Sequence, residues 1–124
     1  MTQPLALLYY EKLFPGSQLL NRLEDMGYRV QTTSDVDSLK SLAREAKPLV
    51  VFLDLRDRQG KLPAIIQLLR EGSDTAHLPV IAFAAERETE LQESARKAGA
   101  TIVVNEGALL QHLDHFMEQA LQID

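Results

Sequence analysis

Residues 47–54 read Lys-Pro-Leu-Val-Val-Phe-Leu-Asp. Five apolar residues in succession, Leu49 to Leu53, predict a strand that is buried on both faces, because a half-exposed strand would alternate apolar with polar residues. Pro48 is expected to end the helical pattern before the strand, and Asp54 follows the strand directly. Strands buried on both faces are typical of parallel sheets that are covered by helices on either side.

Short apolar runs and helical patterns alternate along the rest of the chain. The predicted strands are 5–9, 28–33, 49–53, 80–84 and 101–104. The predicted helices are 17–26, one that opens at Ser34 and stops before Pro48, one from Pro63 to Gly72, 89–98 and 108–121. Five strand–helix units without a repeat predict an α/β architecture of three layers, with a parallel sheet between helices.

Length and composition narrow the classes of function. The 124 residues predict a single domain over 1–124. A net charge of −5 makes nucleic acid a poor partner. No apolar run approaches the roughly 20 residues of a membrane span, and residues 1–4 carry no basic region typical of a signal peptide. The absence of cysteine excludes thiolate metal sites and a cysteine nucleophile, and it fits a cytoplasmic protein.

Functional residues of such sheets lie at the carboxyl ends of the strands, close to the point where the strand order reverses. The residues that occupy those ends in the predicted sheet are Tyr9, Tyr10, Glu11, Asp54, Ala84, Ala85, Asn105 and Glu106.

Four segments together carry a resemblance to a known family. They are Gly27-Tyr28-Arg29-Val30, residues 47–54, Leu78-Pro79-Val80-Ile81-Ala82-Phe83 and Ala98-Gly99-Ala100. Over nearly its whole length the chain resembles the response-regulator receiver domain, the CheY-like family. The resemblance implies a flavodoxin-like fold with five parallel strands in the order 2-1-3-4-5. It also implies a role in two-component signalling and phosphorelay rather than an enzyme.

The family's chemistry is the transfer of a phosphoryl group to an aspartate with the help of Mg²⁺. The resemblance places Asp54 at the phosphoacceptor position. The two acidic residues that hold the metal with the acceptor fall on Tyr10 and Glu11. If a metal binds at all, its ligands would be Glu11, Asp54 and the backbone of Arg56.

The chain departs from the family pattern at most of these positions. Ala84 replaces the hydroxyl residue after strand four, Val103 replaces the aromatic residue, and Glu106 replaces the lysine after strand five. The pattern therefore predicts a degenerate pseudo-receiver with no catalytic residues, no metal and no cofactor. Such a domain would bind signalling proteins without being phosphorylated.

Two other functions stay open at this stage. One is a working phosphoacceptor, phosphorylated on Asp54 by a histidine kinase or a phosphotransfer partner, with Mg²⁺ bound and with Arg56 or Arg58 in place of the lysine. The other is a flavodoxin-like cofactor protein, although the segment 11–17 offers only Gly16 and Ser17 to hold a phosphate.

Alternatives also stay open for two side chains and for the partner surface. Glu106 either pairs with Lys12 or Arg56, or faces water. Tyr10 either donates its hydroxyl to Asp54 or simply packs beneath the loop. We expect a protein partner, or a second copy of the chain, to bind the face formed by residues 89–121, because the helix 89–98 has a thin apolar seam.

Overall fold

The computed structural model describes residues 3–122. Residues 1–2, which belong to the segment 1–4 discussed above for a signal peptide, lie outside the described range. The strands are β1 (Leu5–Tyr9), β2 (Arg29–Thr33), β3 (Val50–Asp54), β4 (Val80–Ala84) and β5 (Ile102–Asn105). The helices are α1 (Leu13–Asp25), α2 (Leu39–Ala46), α3 (Leu62–Glu71), α4 (Thr89–Ala98), α5 (Glu106–Gln111) and α6 (Leu113–Leu121). No helix in the described range is long and apolar enough to cross a membrane.

The five strands form one parallel sheet in the order β2-β1-β3-β4-β5. This order confirms the predicted fold. The order reverses between β1 and β3, which are neighbours in the sheet, and Tyr9 lies opposite Leu53. On the other side of β3, Asp54 lies opposite Phe83. The ends of these strands therefore bring the residues that follow them to one edge of the sheet.

The central strands are buried on both faces, as the apolar run predicts. The predicted bounds 49–53 are one residue too early, because β3 covers Val50–Asp54 and Leu49, just before it, is 42% exposed. Val51 and Leu53 pack into a cluster with side chains of α2, α3 and α4. Val50 and Phe52 pack into a second cluster with side chains of α1, α5 and α6. Because alternate residues of β3 serve opposite layers, the whole strand must be apolar up to its last residue.

The predicted starts of the first two helices are wrong. Helix α1 begins at Leu13 instead of residue 17, with Pro15 in its first turn. A proline is tolerated there because the first N–H groups of a helix have no partner within it. Ser34 does not cap the next helix. Asp35 caps a short 3₁₀ turn instead, where its carboxylate accepts a hydrogen bond from the N–H of Asp37 at 3.0 Å.

Two further boundaries differ towards the carboxyl terminus. Strand β5 is shifted by one residue relative to the predicted 101–104. The predicted helix 108–121 starts earlier and is interrupted at His112, whose backbone angles (φ −126°, ψ 38°) separate α5 from α6. The earlier start has a clear cause, because the side chain of Asn105 accepts a hydrogen bond from the N–H of Ala108 at 2.8 Å and caps α5.

Helix α2 ends at Lys47, whose backbone is left-handed (φ 51°, ψ 56°). Among residues 3–122, every other residue with positive φ is a glycine. The left-handed conformation costs a residue with a side chain about 1–2 kcal/mol, and a following proline, here Pro48, disfavours helical geometry further. Glycine would be the more stable residue at this position.

Arg70, at the end of α3, joins two loops at the amino-terminal edge of the sheet. Its Nη1 donates to the carbonyls of Ala76 at 2.9 Å and Leu78 at 2.7 Å. Its Nε donates to the carbonyl of Gly99 at 2.8 Å, and its Nη2 donates to the hydroxyl of Thr101 at 3.0 Å. Burial lowers the pKa of this guanidinium. The charge serves to hold neutral carbonyls, since no carboxylate in the described part of the chain lies within 4.0 Å.

Candidate functional site

Asp54 is the last residue of β3 and is only 2% exposed. Arg56 satisfies both oxygens of its carboxylate. The backbone N–H of Arg56 donates to Oδ1 at 3.1 Å, its Nε donates to the same oxygen at 3.0 Å, and its Nη2 donates to Oδ2 at 3.0 Å. This two-pronged contact is the strongest geometry available to an arginine and a carboxylate.

The same guanidinium also binds Glu106, the first residue of α5. Nη2 of Arg56 donates to Oε2 of Glu106 at 2.8 Å, which confirms the alternative that pairs Glu106 with Arg56. We call Asp54, Arg56 and Glu106 the ion triad. The hydrogen bond to Asp54 raises the pKa of Arg56, the negative charges of Asp54, Glu106 and Glu88 add to this, and burial acts in the opposite direction.

The ion triad carries a net charge of −1, because one guanidinium serves two carboxylates. Arg56 is half-buried, and within the described residues all hydrogen bonds to the Asp54 side chain come from it. A ligand of Asp54 would therefore have to displace the guanidinium or accept it as a partner.

Glu11, which follows β1, is engaged by its own neighbours. The buried hydroxyl of Tyr9 donates to Oε2 of Glu11, and the backbone N–H of Arg58 donates to the same oxygen at 3.3 Å. Burial raises the pKa of Tyr9 far above its usual value, and the hydrogen bond to Glu11 raises it further. Glu11 thus ties β1 to the loop after β3. The sequence pattern pointed to Tyr9 by its position but gave no sign of this role.

Tyr10 packs against α1, and its hydroxyl does not bind Asp54. A Cβ atom at Gly16 would lie 2.4 Å from the Tyr10 ring, so the ring rests directly on the backbone of that glycine. Of the two alternatives for Tyr10, the packing role is observed. The predicted hydrogen bond to Asp54 is wrong, because the Tyr10 ring lies on Gly16 and the hydrogen bonds to the Asp54 carboxylate come from Arg56.

At the end of β4 the loop is fixed by side chains that follow it. Ala84 is fully buried and offers no side-chain donor. The carboxylate of Glu88 accepts a hydrogen bond from the N–H of Ala85 at 2.8 Å, and the amide of Gln92 donates to the carbonyl of Ala85 at 2.9 Å. The sequence pattern did not assign these roles, although a carboxylate three residues from a free N–H is a typical capping signal.

Val103 lies on β5, where it is opposite Ala82 and packs partly buried against the cluster that contains α2, α3 and α4. A branched aliphatic side chain in this setting is a packing residue.

The residues present do not fit the Mg²⁺ site that the family resemblance implies. Mg²⁺ is bound by carboxylates and waters in octahedral geometry. Both oxygens of Asp54 are bound by Arg56, Tyr10 supplies no carboxylate, and Glu11 is bonded to Tyr9 and to the Arg58 amide. Among residues 3–122, no three histidine or acidic side chains stand close enough to share a metal ion.

Solved structures of receiver domains superimpose closely on the chain. A protein proposed to be a response regulator, from Chloroflexus aurantiacus, matches with a TM-score of 0.89 at 16% identity, over 98% of this chain and 100% of that one. The receiver domain of a Pseudomonas aeruginosa sensor histidine kinase, solved with a magnesium ion in its active site cleft, matches with a TM-score of 0.87 at 16% identity, over 98% and 100%. A response regulator from Thermotoga maritima matches with a TM-score of 0.79 at 20% identity, over 98% and 100%.

The chain has the receiver fold. No family model matches its sequence, and no curated protein sequence shows significant similarity to it. In the receiver fold the ion triad lies at the carboxyl ends of β3 and β5, which is the edge of the sheet where parallel α/β proteins place their sites.

Proposed function

We propose that this receiver-fold chain is a signalling module of a two-component-type system that binds protein partners without phosphorylation of Asp54. The observation that carries the proposal is the ion triad. A phosphoacceptor aspartate must be open to a donor and to a metal ion, whereas Asp54 is buried and both of its oxygens are bound by Arg56.

Electrostatics argue against phosphoryl transfer at this site. Such transfer depends mainly on preorganised positive charge around the moving group. Here one guanidinium is already shared with Glu106, and Ala84 has no group that can donate a hydrogen bond. A phosphoryl group on Asp54 would add negative charge beside Glu106, which stands where the receiver pattern has a lysine.

The β4–α4 loop gives a second line of support. Its backbone is held by Glu88 and Gln92, which lie on the same loop and helix. Its conformation therefore depends on local side chains and not on contacts with Asp54.

We infer that the partner surface is the face formed by residues 89–121. Ala95 and Ala98 are the only buried side chains of α4, and Leu91 is partly buried. Alanine side chains bury little apolar area, so α4 can adjust its position at low cost when a protein binds. A second copy of the chain is one candidate for that partner.

Acetyl phosphate is expected to leave the protein unmodified in the presence of Mg²⁺. Intact-mass spectrometry would show no adduct of about 80 Da, the mass of a phosphoryl group. A receiver domain that accepts phosphate from the same donor, treated in the same tube, shows that the donor is active.

A stoichiometric adduct that disappears in Asp54→Asn would instead support the alternative of a working phosphoacceptor. One observation favours that alternative, namely that Arg56 already lies against Asp54 and could take the place of the missing lysine. The variant Arg56→Met separates the two functions further. Under the alternative it lowers the yield of adduct, and under our proposal there is no adduct to lose.

Charge reversal on α4 is expected to reduce partner binding, whereas loss of Asp54 is not. In cells that express each variant as a crosslinking bait, Arg96→Glu/Lys97→Glu should lower the recovery of the partner by about fivefold or more. Asp54→Asn should leave it within about twofold. Arg22→Glu/Arg29→Glu is the matched control, since both residues are exposed and the change in charge is the same. Loss of the partner in Asp54→Asn but not in Arg96→Glu/Lys97→Glu would reject both the face and the mechanism.

A further inference from the structure

A cleft opens between α2 and residues 72–79, at the edge of the sheet opposite the ion triad. Its main part has a volume of about 430 Å³ and is lined by Ala43, Arg44, Lys47, Pro48, Ser73, Asp74, His77 and Leu78. A smaller adjoining part is reached by Lys40 and shares Arg44, Ser73 and Asp74 with the first. We call this the α2 cleft. Its volume lies within the range of ordinary ligand sites.

The α2 cleft is positively charged although the chain as a whole carries a net charge of −5. Lys40 and Arg44 are four residues apart in α2, so they share one side of the helix, and Lys47 follows the helix and lines the same cleft as Arg44. In the described part of the chain none of the three has a carboxylate within 4.0 Å. Asp74 is the only acidic residue in the lining.

The backbone of Lys47 is a second, independent observation. It is the strained left-handed residue at the end of α2, at a position where glycine would be more stable. The left-handed conformation ends the helix, but a glycine would adopt it at lower cost, so the presence of a lysine at this position points to a role for its side chain. The Lys47 side chain is exposed and lines the cleft.

The spacing of the charges indicates the shape of the ligand. Lys40 lies in the first turn of α2 and Lys47 follows its last residue, so the cations are spread along the whole length of the helix. Asp74 would repel a group that concentrates several negative charges at one point. The floor between the charges is apolar, with Ala43, Pro48 and Leu78.

We propose that the α2 cleft is a docking site for an acidic peptide segment of a partner protein, with carboxylates spaced along it and apolar residues between them. Carboxylates of the segment pair with Lys40, Arg44 and Lys47, and its apolar side chains cover the floor. The proposal does not depend on the state of Asp54, because the α2 cleft and the ion triad lie at opposite edges of the sheet.

The test is an NMR titration of the full chain with a synthetic peptide of about ten residues, built from alternating glutamate and leucine segments. A peptide with lysine in place of every glutamate is the negative control. We expect saturable amide shifts confined to residues 40–48 and 72–79. Raising the salt from about 0.05 to about 0.3 M should weaken them. Arg44→Glu/Lys47→Glu should weaken binding about tenfold or more, and Arg22→Glu/Arg29→Glu should not.

Lys47→Gly distinguishes a binding role from a structural one. It removes the cation and relieves the strain, so binding should weaken while the melting temperature rises or stays the same. Absence of saturable shifts up to about 2 mM peptide, or equal losses in the two double reversals, would overturn the proposal. Equally tight binding of inorganic phosphate at the same amides would also overturn it. Shifts at these amides that depend on protein concentration, without any peptide, would overturn it as well, because they would identify a second copy of the chain as the occupant.

Discussion

Replacing Arg56 by methionine is expected to lower the free energy of unfolding by about 3 kcal/mol, since the change leaves a buried charge without its partner. Asp54 would keep its burial and lose both hydrogen bonds from the guanidinium, so only the backbone N–H of residue 56 would still donate to its carboxylate. Glu106 would lose its cation as well. In a chain of this size the melting temperature should fall by about 10 °C, measured by calorimetry or circular dichroism.

The matched control is Arg58→Met, two residues further along the same loop. Its side chain is 93% exposed and lies 3.7 Å from Glu11, so the melting temperature should not change beyond experimental error. A double-mutant cycle completes the test. Asp54→Asn/Arg56→Met also removes the buried negative charge, and it should cost less than Arg56→Met alone because Asp54 is then no longer a buried carboxylate without a partner. Glu106 loses its cation in both variants, so that loss does not affect the comparison. Equal losses for Arg56→Met and Arg58→Met would show that the ion triad does not stabilise the fold.

The ion triad also explains why the sequence predicted the fold better than the site. The consecutive apolar residues 50–53 can all be buried only in a strand with helices on both faces, so the sheet follows from composition and order. The position of Glu106, by contrast, holds a lysine in the receiver pattern, so the sequence comparison indicates only that a positive charge is missing. The partner of Glu106 is Arg56, fifty residues away. The strand order placed this pairing among the alternatives, but no local pattern selects it over Lys12 or water.

The same contrast holds for the helices. The end of α4 at Gly99, which has φ 113°, follows directly from a glycine after the last apolar residue. The start of α1 at Leu13 does not follow from the sequence pattern, because Pro15 and Gly16 in succession are typical of a loop. The close contact between Gly16 and the Tyr10 ring is tertiary. It explains why a glycine is needed there without implying a turn.

Arg70 is the residue whose replacement we expect to cost the most after Arg56. Arg70→Met should lower the free energy of unfolding by about 3 kcal/mol, because hydrogen bonds from a charged donor contribute about 1.5–3 kcal/mol each. The carbonyls of Leu78 and Gly99 would be left to find water in half-buried loops. Arg22→Met is the control, since Arg22 also lies in the last turn of a helix but is exposed.

Hydrogen exchange would show where the effect of Arg70→Met is felt. The amide of Thr101 donates to the carbonyl of Val80, and the amide of Val80 donates to the hydroxyl of Thr101. In Arg70→Met both amides should exchange faster, and by more than the global loss of stability explains. The amide of Arg29 is the control. It donates to the carbonyl of Pro4 on the far side of the sheet, so its exchange rate should follow the global change alone.

Arg70→Lys tests whether shape or charge matters in this arrangement. A lysine keeps the charge but cannot direct donors towards three carbonyls at once, so we expect it to recover less than half of the lost stability. Recovery to the wild-type value would mean that the charge alone is sufficient. The Ala76 and Leu78 carbonyls belong to the 72–79 wall of the α2 cleft. Arg70→Met should therefore also loosen this wall, while the ion triad, at the opposite edge of the sheet, keeps its contacts.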